Sequence, residues 1–269
     1  MFTSFFYSPI INFMFFKTII LSFIQSITEF LPVSSSGHLL LVEKIFGFKE
    51  FDLPFNILLH LASGLALFIF FFKDWVDIFK EVKYNFKDSL FFKIIISSIP
   101  ALLLGLILKK TEPLFWQSEY ITISNLIVFG LILMWADRRT GAKTAKTLKS
   151  QEALLVGVGQ ALALIPGVSR SGITISIALF LGLSRKEAAR FSFLLATPAI
   201  LGASILEFTT FKPEKTMLNY YILGFILTFV LSYITILGLL KYLGKNKLWP
   251  FSIWRFIVAL LVLILIFIK

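Results

Sequence analysis

Leu31-Pro32-Val33-Ser34-Ser35-Ser36-Gly37 interrupts an apolar stretch running from about residue 17 to 47, and Ile165-Pro166-Gly167-Val168-Ser169-Arg170-Ser171-Gly172 interrupts a second, from about 151 to 183. Pro and Gly end helices, so each stretch is cut in two. The flanks that remain, about 10–15 residues each, fall short of the roughly 20 that a helix needs to cross the hydrocarbon. The pattern predicts two re-entrant hairpins of paired half-helices. Irregular backbone at membrane depth survives only where protein or a wet cavity surrounds it. Six other apolar stretches are long enough to span: 53–72, 91–108, 118–136, 191–210, 218–240 and 250–268. The expected fold is an all-α integral membrane protein of ten helical segments, six of them full spans, in a single polytopic domain over 1–269.

Composition agrees. Of 269 residues, 58% are hydrophobic and only 15% charged, whereas a soluble domain carries about 25% charged residues. Disorder and a small disulfide-bonded secreted fold are excluded. The chain has no cysteine, which removes thiol catalysis and Cys-zinc sites. The net charge of +11 comes from Lys and Arg in short loops, a pattern that orients membrane proteins and gives no reason to invoke nucleic acid. The N-terminus, MFTSFFYSPIINFMFFK, has no basic region before its apolar run and no small-residue cleavage site, so it reads as part of the mature chain.

The two interrupted stretches are copies of one another. Gln25 and Gln160 lie 135 residues apart, as do Ser34 and Ser169, Ser36 and Ser171, Gly37 and Gly172, and Gly47 and Gly182. One position out of phase, Phe55, Leu58 and Leu59 match Phe191, Leu194 and Leu195. An offset of half the chain marks an internal duplication. Each half, 1–136 and 150–269, then holds one hairpin and three spans. Three is odd, so the second half enters from the opposite face, giving inverted repeats whose hairpins meet near the midplane. The segments 73–93, 137–149, 185–190 and 241–247 hold sixteen Lys or Arg; the other side holds eight, Lys17, Lys44, Lys49, Lys109, Lys110, Lys212, Lys215 and Lys269. This bias places the first set in the cytoplasm and both termini outside. Arg170 is intramembrane and Arg255 lies at a span start.

The hairpin tips carry the chemistry. Gln25 and Glu29 are four apart and share a helical face. Ser34, Ser35, Ser36, Gly37 and His38 follow at the first bend; Ser169, Arg170, Ser171, Gly172 and Thr174 surround the second. A charged side chain at this depth costs at least ~2.5–3.5 kcal/mol and reports function; the bland alternative is a buried Glu29–Arg170 pair locking the halves together. Hydroxyl residues suit the N-caps of the returning half-helices, whose free N–H groups and positive dipole ends attract anions. Arg170 adds a planar fork fitted to phosphate oxygens. Together these make a cradle for a phosphate or diphosphate. Glu29 would repel it unless protonated or bridged by a divalent cation, and Mg²⁺ or Ca²⁺ suits oxygen ligands. His38 can shuttle a proton or attack phosphorus, and Ser35 is the other side-chain nucleophile, with His38 as its base. Ser35, His38 and water all remain candidates for the attacking group.

At these residues the sequence resembles the undecaprenyl-diphosphate phosphatase family, the membrane phosphatases linked to bacitracin resistance. The similarity runs through Gln25 to Glu29 and on through Phe30-Leu31-Pro32-Val33-Ser34-Ser35-Ser36-Gly37-His38. A second signature is Pro166-Gly167-Val168-Ser169-Arg170-Ser171-Gly172-Ile173-Thr174, with support from Phe191 to Pro198 and from Trp254-Arg255-Phe256. The resemblance implies removal of the terminal phosphate of undecaprenyl diphosphate, which recycles the lipid carrier for cell-wall synthesis. It implies functionally essential roles for Glu29, His38, Ser35 and Arg170, dependence on a divalent cation, and residence in a bacterial inner membrane with the active site open to the outer face. Gln25 stands where an acidic residue also occurs in the signature, which weakens any two-carboxylate metal site. The expected partners are the polyprenyl diphosphate and membrane lipids, with a homodimer left open and no nucleic acid. A diphosphate head near the midplane needs a lateral opening to lipid, and 32 Phe offer apolar walls. The competing function is a transporter or flippase for an anionic lipid or small anion, since broken helices in inverted repeats also build carriers; a carrier has little use for Glu29 and His38 at one tip.

His60, near Asn56, and Asn125 read as hydrogen-bonded helix packing. Ser97 and Ser98 before Pro100 read as a kink whose hydroxyls satisfy freed backbone, and Gly202, Gly224 and Gly238 read as close helix contacts.

Overall fold

A computed structural model describes residues 9–47, 53–111, 118–139, 141–209 and 213–268. Among them are eleven α-helices and no strand, with one isolated bridge between Lys143 and Leu183. The helices are α1 (Pro9–Thr28), α2 (Ser35–Phe46), α3 (Leu53–Phe70), α4 (Phe72–Val82), α5 (Leu90–Thr111), α6 (Glu119–Ala136), α7 (Ser150–Leu162), α8 (Arg170–Phe180), α9 (Arg185–Phe208), α10 (Leu218–Leu243) and α11 (Trp249–Ile268). Five of them, α5, α6, α9, α10 and α11, are long and apolar enough to cross a membrane, and α3 with α4 makes a sixth candidate bent by 66°. The protein is a multi-pass, all-α membrane protein.

Two elements differ from the sequence expectation. The first hairpin's leading arm is a 20-residue helix, longer than the short flank expected, because the apolar run before Lys17 continues the helix and one lysine does not end it. The eleventh helix is α4, in a segment read as a charged loop. Its sequence, FKDWVDIFKEV, buries Trp75 and Ile78 while Lys73, Asp77 and Lys80 stay exposed. That amphipathic spacing forms a helix only because the chain turns sharply after Phe70 and lays one face on the core.

Part of the helix pairing survives exchange of the halves, although α3–α10 and α8–α9 pack more extensively than α5–α9 and α2–α3. α1 packs on α10 as α7 packs on α5; α2 packs on α11 as α8 packs on α6; α3 meets α9 and α6 meets α11. α5 and α7 approach closely: a Cβ added to Gly157 would lie 2.2 Å from the Ser97 carbonyl oxygen. Ser97 Oγ donates there to Ala153 O and also to Lys93 O, both at 2.6 Å, while Ser98 Oγ donates to Ile94 O. These hydroxyls bond carbonyls other than the Ile96 carbonyl that Pro100 leaves without its helical donor: Ser97 ties α5 to α7, and the Ser98 bond stays within α5. Of the three glycines expected at close contacts only Gly224 fits, against Phe55; Gly202 and Gly238 have nothing within 4 Å of an added Cβ.

The Lys- and Arg-rich segments converge on one end. Asp137 accepts from Arg185 Nε at 2.5 Å and from Leu248 N at 3.0 Å, Arg190 pairs with Asp74, Glu187 accepts from Ala145 N, and Lys93 Nζ donates to Lys146 O. Elsewhere Lys44 pairs with Glu119 at 2.5 Å. Residues 1–8, Lys49, Lys212 and Lys269 lie outside the described residues, as do the side chains of Lys109 and Lys110.

Candidate active site at the two hairpin tips

Each hairpin turns on a serine in a conformation that L-residues rarely adopt. Ser34 has φ 74°, ψ 106° and Ser169 has φ 72°, ψ 112°. They are the two non-glycine residues with positive φ among those described, a backbone that costs about 1–3 kcal/mol and persists only where its surroundings hold it. α2 and α8 start at the next residues. Ser169 Oγ accepts from Gly172 N, a side-chain cap; Ser34 makes no such bond and its Oγ lies 3.1 Å from Ser36 Oγ. The expected hydroxyl caps are therefore realised at one tip and not the other.

The tips bond directly to each other. Gly167 N donates to Ser36 Oγ at 3.0 Å, Ser171 Oγ donates to Leu31 O at 2.9 Å, and Arg170 Nη2 donates to Glu29 Oε1 at 3.0 Å and to Glu29 O at 3.2 Å. Beside this junction is a cavity of about 340 Å³. Glu29, Ser34, Ser35, Ser36, Ser169 and Arg170 line it, together with His60, Gln160, Ser204 and Glu207. Glu29 and Arg170 form a buried ion pair, their side chains 9% and 15% exposed. Gln25, 3% exposed, donates from Nε2 to Glu29 Oε2 at 3.1 Å and approaches His60 Nδ1 at the same distance. Since the carboxylate can only accept, the Gln25 nitrogen supplies both protons, and His60 carries its own on Nε2.

Several predicted residues stand behind the cavity wall rather than on it. Gln25 orients Glu29. Thr174 Oγ1 donates to Arg170 O at 2.7 Å and meets Ser192 Oγ. Ser171 ties the tips together, and Gly37 and Gly172 allow close approach: an added Cβ would lie 3.0 Å from Leu126 at the first and 3.2 Å from Arg255 Nη1 at the second. His38 is also absent from the lining. Its Nδ1 lies 2.8 Å from Ser34 O, and Trp254 Nε1 donates to its Nε2 at 2.7 Å. A carbonyl only accepts, so Nδ1 carries the proton, and both ring nitrogens are engaged.

Two residues bear on the site more than their sequence context suggests. His60, read as packing, lines the cavity; a lone histidine in an apolar span gave no further signal. Arg255, placed at a span start, is 0% exposed and donates to Asn125 O, Leu126 O, Gly167 O and Val168 O at 2.8–3.1 Å. It clamps the unwound carbonyls of the second tip, and Asn125 Nδ2 adds a bond to Pro166 O. The available signal was an arginine flanked by Trp254 and Phe256 inside an apolar run.

No group of three or more His, Asp or Glu able to hold a metal occurs among the described residues. Glu29 and the tip hydroxyls are nevertheless the hard oxygen donors that a Mg²⁺- or Ca²⁺-type ion takes when substrate phosphates complete its coordination. The site couples two helix N-termini, an arginine, a carboxylate and serine hydroxyls, the donor set for binding and transferring a phosphoryl group.

Residues 18–261 match the family described as bacitracin resistance protein BacA. The chain is 39% identical over 260 residues to the undecaprenyl-diphosphatase of Thermodesulfovibrio yellowstonii, covering 94% of this chain and 98% of the relative. It is 36% identical over 251 residues to the one of Elusimicrobium minutum, covering 92% and 96%, and 34% identical over 254 residues to that of Pelotomaculum thermopropionicum, covering 93% and 96%. With the family match spanning most of the chain and both tip motifs inside it, the protein belongs to the BacA bacitracin-resistance family.

Proposed function

We propose that the chain is an undecaprenyl-diphosphatase, hydrolysing undecaprenyl diphosphate to undecaprenyl phosphate and inorganic phosphate and so recycling the lipid carrier of cell-wall synthesis. The observation that carries this reading is the contact of Glu29 with Arg170 across the two tips, beside a cavity lined by serines at two helix starts. The terminal phosphate takes up Arg170 and the N–H groups of α2 and α8, and exchange of Arg170 from carboxylate to phosphate frees Glu29. Ser35 lines the cavity, whereas His38 has both nitrogens engaged; this favours Ser35 Oγ as nucleophile. Its oxygen bonds the terminal phosphorus, its proton passes to Glu29, and the bridging P–O bond breaks to release prenyl phosphate. Glu29 passes that proton to the departing prenyl phosphate, then takes one from the water that attacks the phosphoserine and returns it to Ser35 Oγ as inorganic phosphate leaves. Gln25 orients Glu29, and His38 holds the Ser34 carbonyl.

Glu29, with hydroxyls of the serine tips, would hold the divalent cation, Mg²⁺ or Ca²⁺. When bound it neutralises phosphate charge beside the carboxylate. We place the protein in the bacterial inner membrane as a pair of inverted repeats with the site open to the outer face, on the bias of basic residues toward one end. The many exposed apolar side chains, such as Leu102, Ile205 and Leu260, meet lipid. The test is phosphate release by purified protein from undecaprenyl or farnesyl diphosphate, with Mg²⁺ or Ca²⁺ and with EDTA. Cation-dependent release supports the reading; binding without release contradicts it and favours a carrier.

A further inference from the structure

Gln160, near the end of α7, is 3% exposed, and neither its amide nitrogen nor its amide oxygen has a hydrogen-bond partner. Ser204 of α9 is 1% exposed with an unpartnered hydroxyl, and Arg170 has an unpartnered Nη1. All three residues line the same cavity. A buried polar atom left without a partner costs stability. Three helices that each carry this cost toward one cavity mark a place that a polar ligand completes.

The cavity has two unlike walls. One is the tips, with four serines, Glu29 and Arg170. The other, from α5, α7 with the turn that follows it, and α9, includes small and apolar residues such as Ala101, Leu164, Ala199 and Ile200, and Gln160 and Ser204 are its neutral polar groups. We propose that Gln160 and Ser204 form the subsite for the prenyl-linked phosphate, the one the lipid product retains. This rests on the phosphatase reading and assigns the second half of its substrate. The terminal phosphate must lie at the tips, where Ser35 and Glu29 are. The inner phosphate of a diphosphate ester carries less charge than the terminal one, so an amide and a hydroxyl suit it. Glu207 lines this second wall as well, and its carboxylate disfavours the more highly charged group there. The apolar remainder of the wall receives the first prenyl units.

The experiment compares wild type with Gln160→Met, Gln160→Glu and Ser204→Ala in detergent. It measures inhibition of farnesyl diphosphate hydrolysis by farnesyl phosphate and by inorganic phosphate, and the Tm of the ligand-free protein. Loss of the amide bonds is expected to weaken farnesyl phosphate about tenfold, with inorganic phosphate changed by less than about twofold. Gln160→Glu, of the same size, weakens farnesyl phosphate further through charge repulsion, and Ser204→Ala acts in the same direction by about threefold. Gln160→Met also raises the ligand-free Tm, because it removes two unpartnered buried polar atoms; a merely structural glutamine would lower it. Equal weakening of both inhibitors, no change in either, or a lowered Tm in Gln160→Met overturns the assignment. If the wild type releases no phosphate, the phosphatase reading fails by itself. The subsite is then still tested by the thermal stabilisation that farnesyl phosphate gives wild type and that Gln160→Met is expected to lose; equal stabilisation of both overturns it.

Discussion

The two hairpin tips share a backbone and divide the charges. Ser34 and Ser169 differ by only a few degrees in φ and ψ, yet Glu29 in the first half corresponds to Leu164 in the second, and Arg170 in the second corresponds to Ser35 in the first. His38 likewise corresponds to Ile173, while Gln25 and Gln160 are the same residue with different surroundings: one orients Glu29, the other has an unpartnered amide facing the cavity. The two tips share a backbone conformation and differ in a few side chains, and those side chains carry the charges. Neither tip alone holds both a carboxylate and a cation, so the site exists only where the halves meet.

The largest test of that division is removal of the cation from its tip. Arg170→Ala is expected to lower turnover by about 10²-fold or more through loss of charge stabilisation, and to destabilise the fold by leaving Glu29 unpaired, about 3–5 kcal/mol. Phosphate release and thermal unfolding check both. Arg170→Lys restores charge but not the planar fork, so it should recover only part of the rate. Next is Glu29→Gln, which keeps shape and the Gln25 contact. It should lose about 10²-fold in rate and its response to added Mg²⁺ or Ca²⁺, and it should lower Tm as well, since Arg170 loses its buried counter-charge. A charge-reversed pair, Glu29→Arg with Arg170→Glu, sharpens the comparison: the ion pair returns and stability recovers relative to either single variant, but activity does not, because the carboxylate now starts α8.

Arg255→Met acts on the scaffold behind the second tip. It leaves the Gly167 and Val168 carbonyls of the second tip without a donor, and the expected loss is about 2–4 kcal/mol in urea unfolding. The smallest effect is expected from Trp254→Phe, which removes the donor to His38 Nε2 at a cost of about 1 kcal/mol. Activity should fall by only about fivefold, since His38 keeps its bond to Ser34 O. A loss as large as that of Arg170→Ala would return His38 to the centre of the chemistry.

Much of this was legible in the sequence because it depends on local pattern. The Pro-Ser-Gly interruptions coincide with the breaks between α1 and α2 and between α7 and α8, and Glu29 and Arg170, which stand out because charge inside an apolar stretch is costly, meet across them. What the sequence did not show depends on partners far away. His38 is in the motif, but its ring is fixed by Trp254, 216 residues on. Arg255 looks like an interfacial anchor until the carbonyls of α6 and the second tip surround it. His60 gains its place only when α3 lies beside α1. Helix α4 was hidden for a different reason: its charged residues dominate a loop-like composition, and its apolar face is visible only once the turn at Phe71 is known.

The most direct measurement is an experimental structure of the protein bound to a farnesyl lipid bearing a non-hydrolysable methylene diphosphonate head. The terminal phosphonate is expected to contact Arg170 of one tip and the Ser34–Ser36 turn of the other at the same time. A head group held by one tip alone, with the Arg170 and Glu29 turns apart, would contradict it.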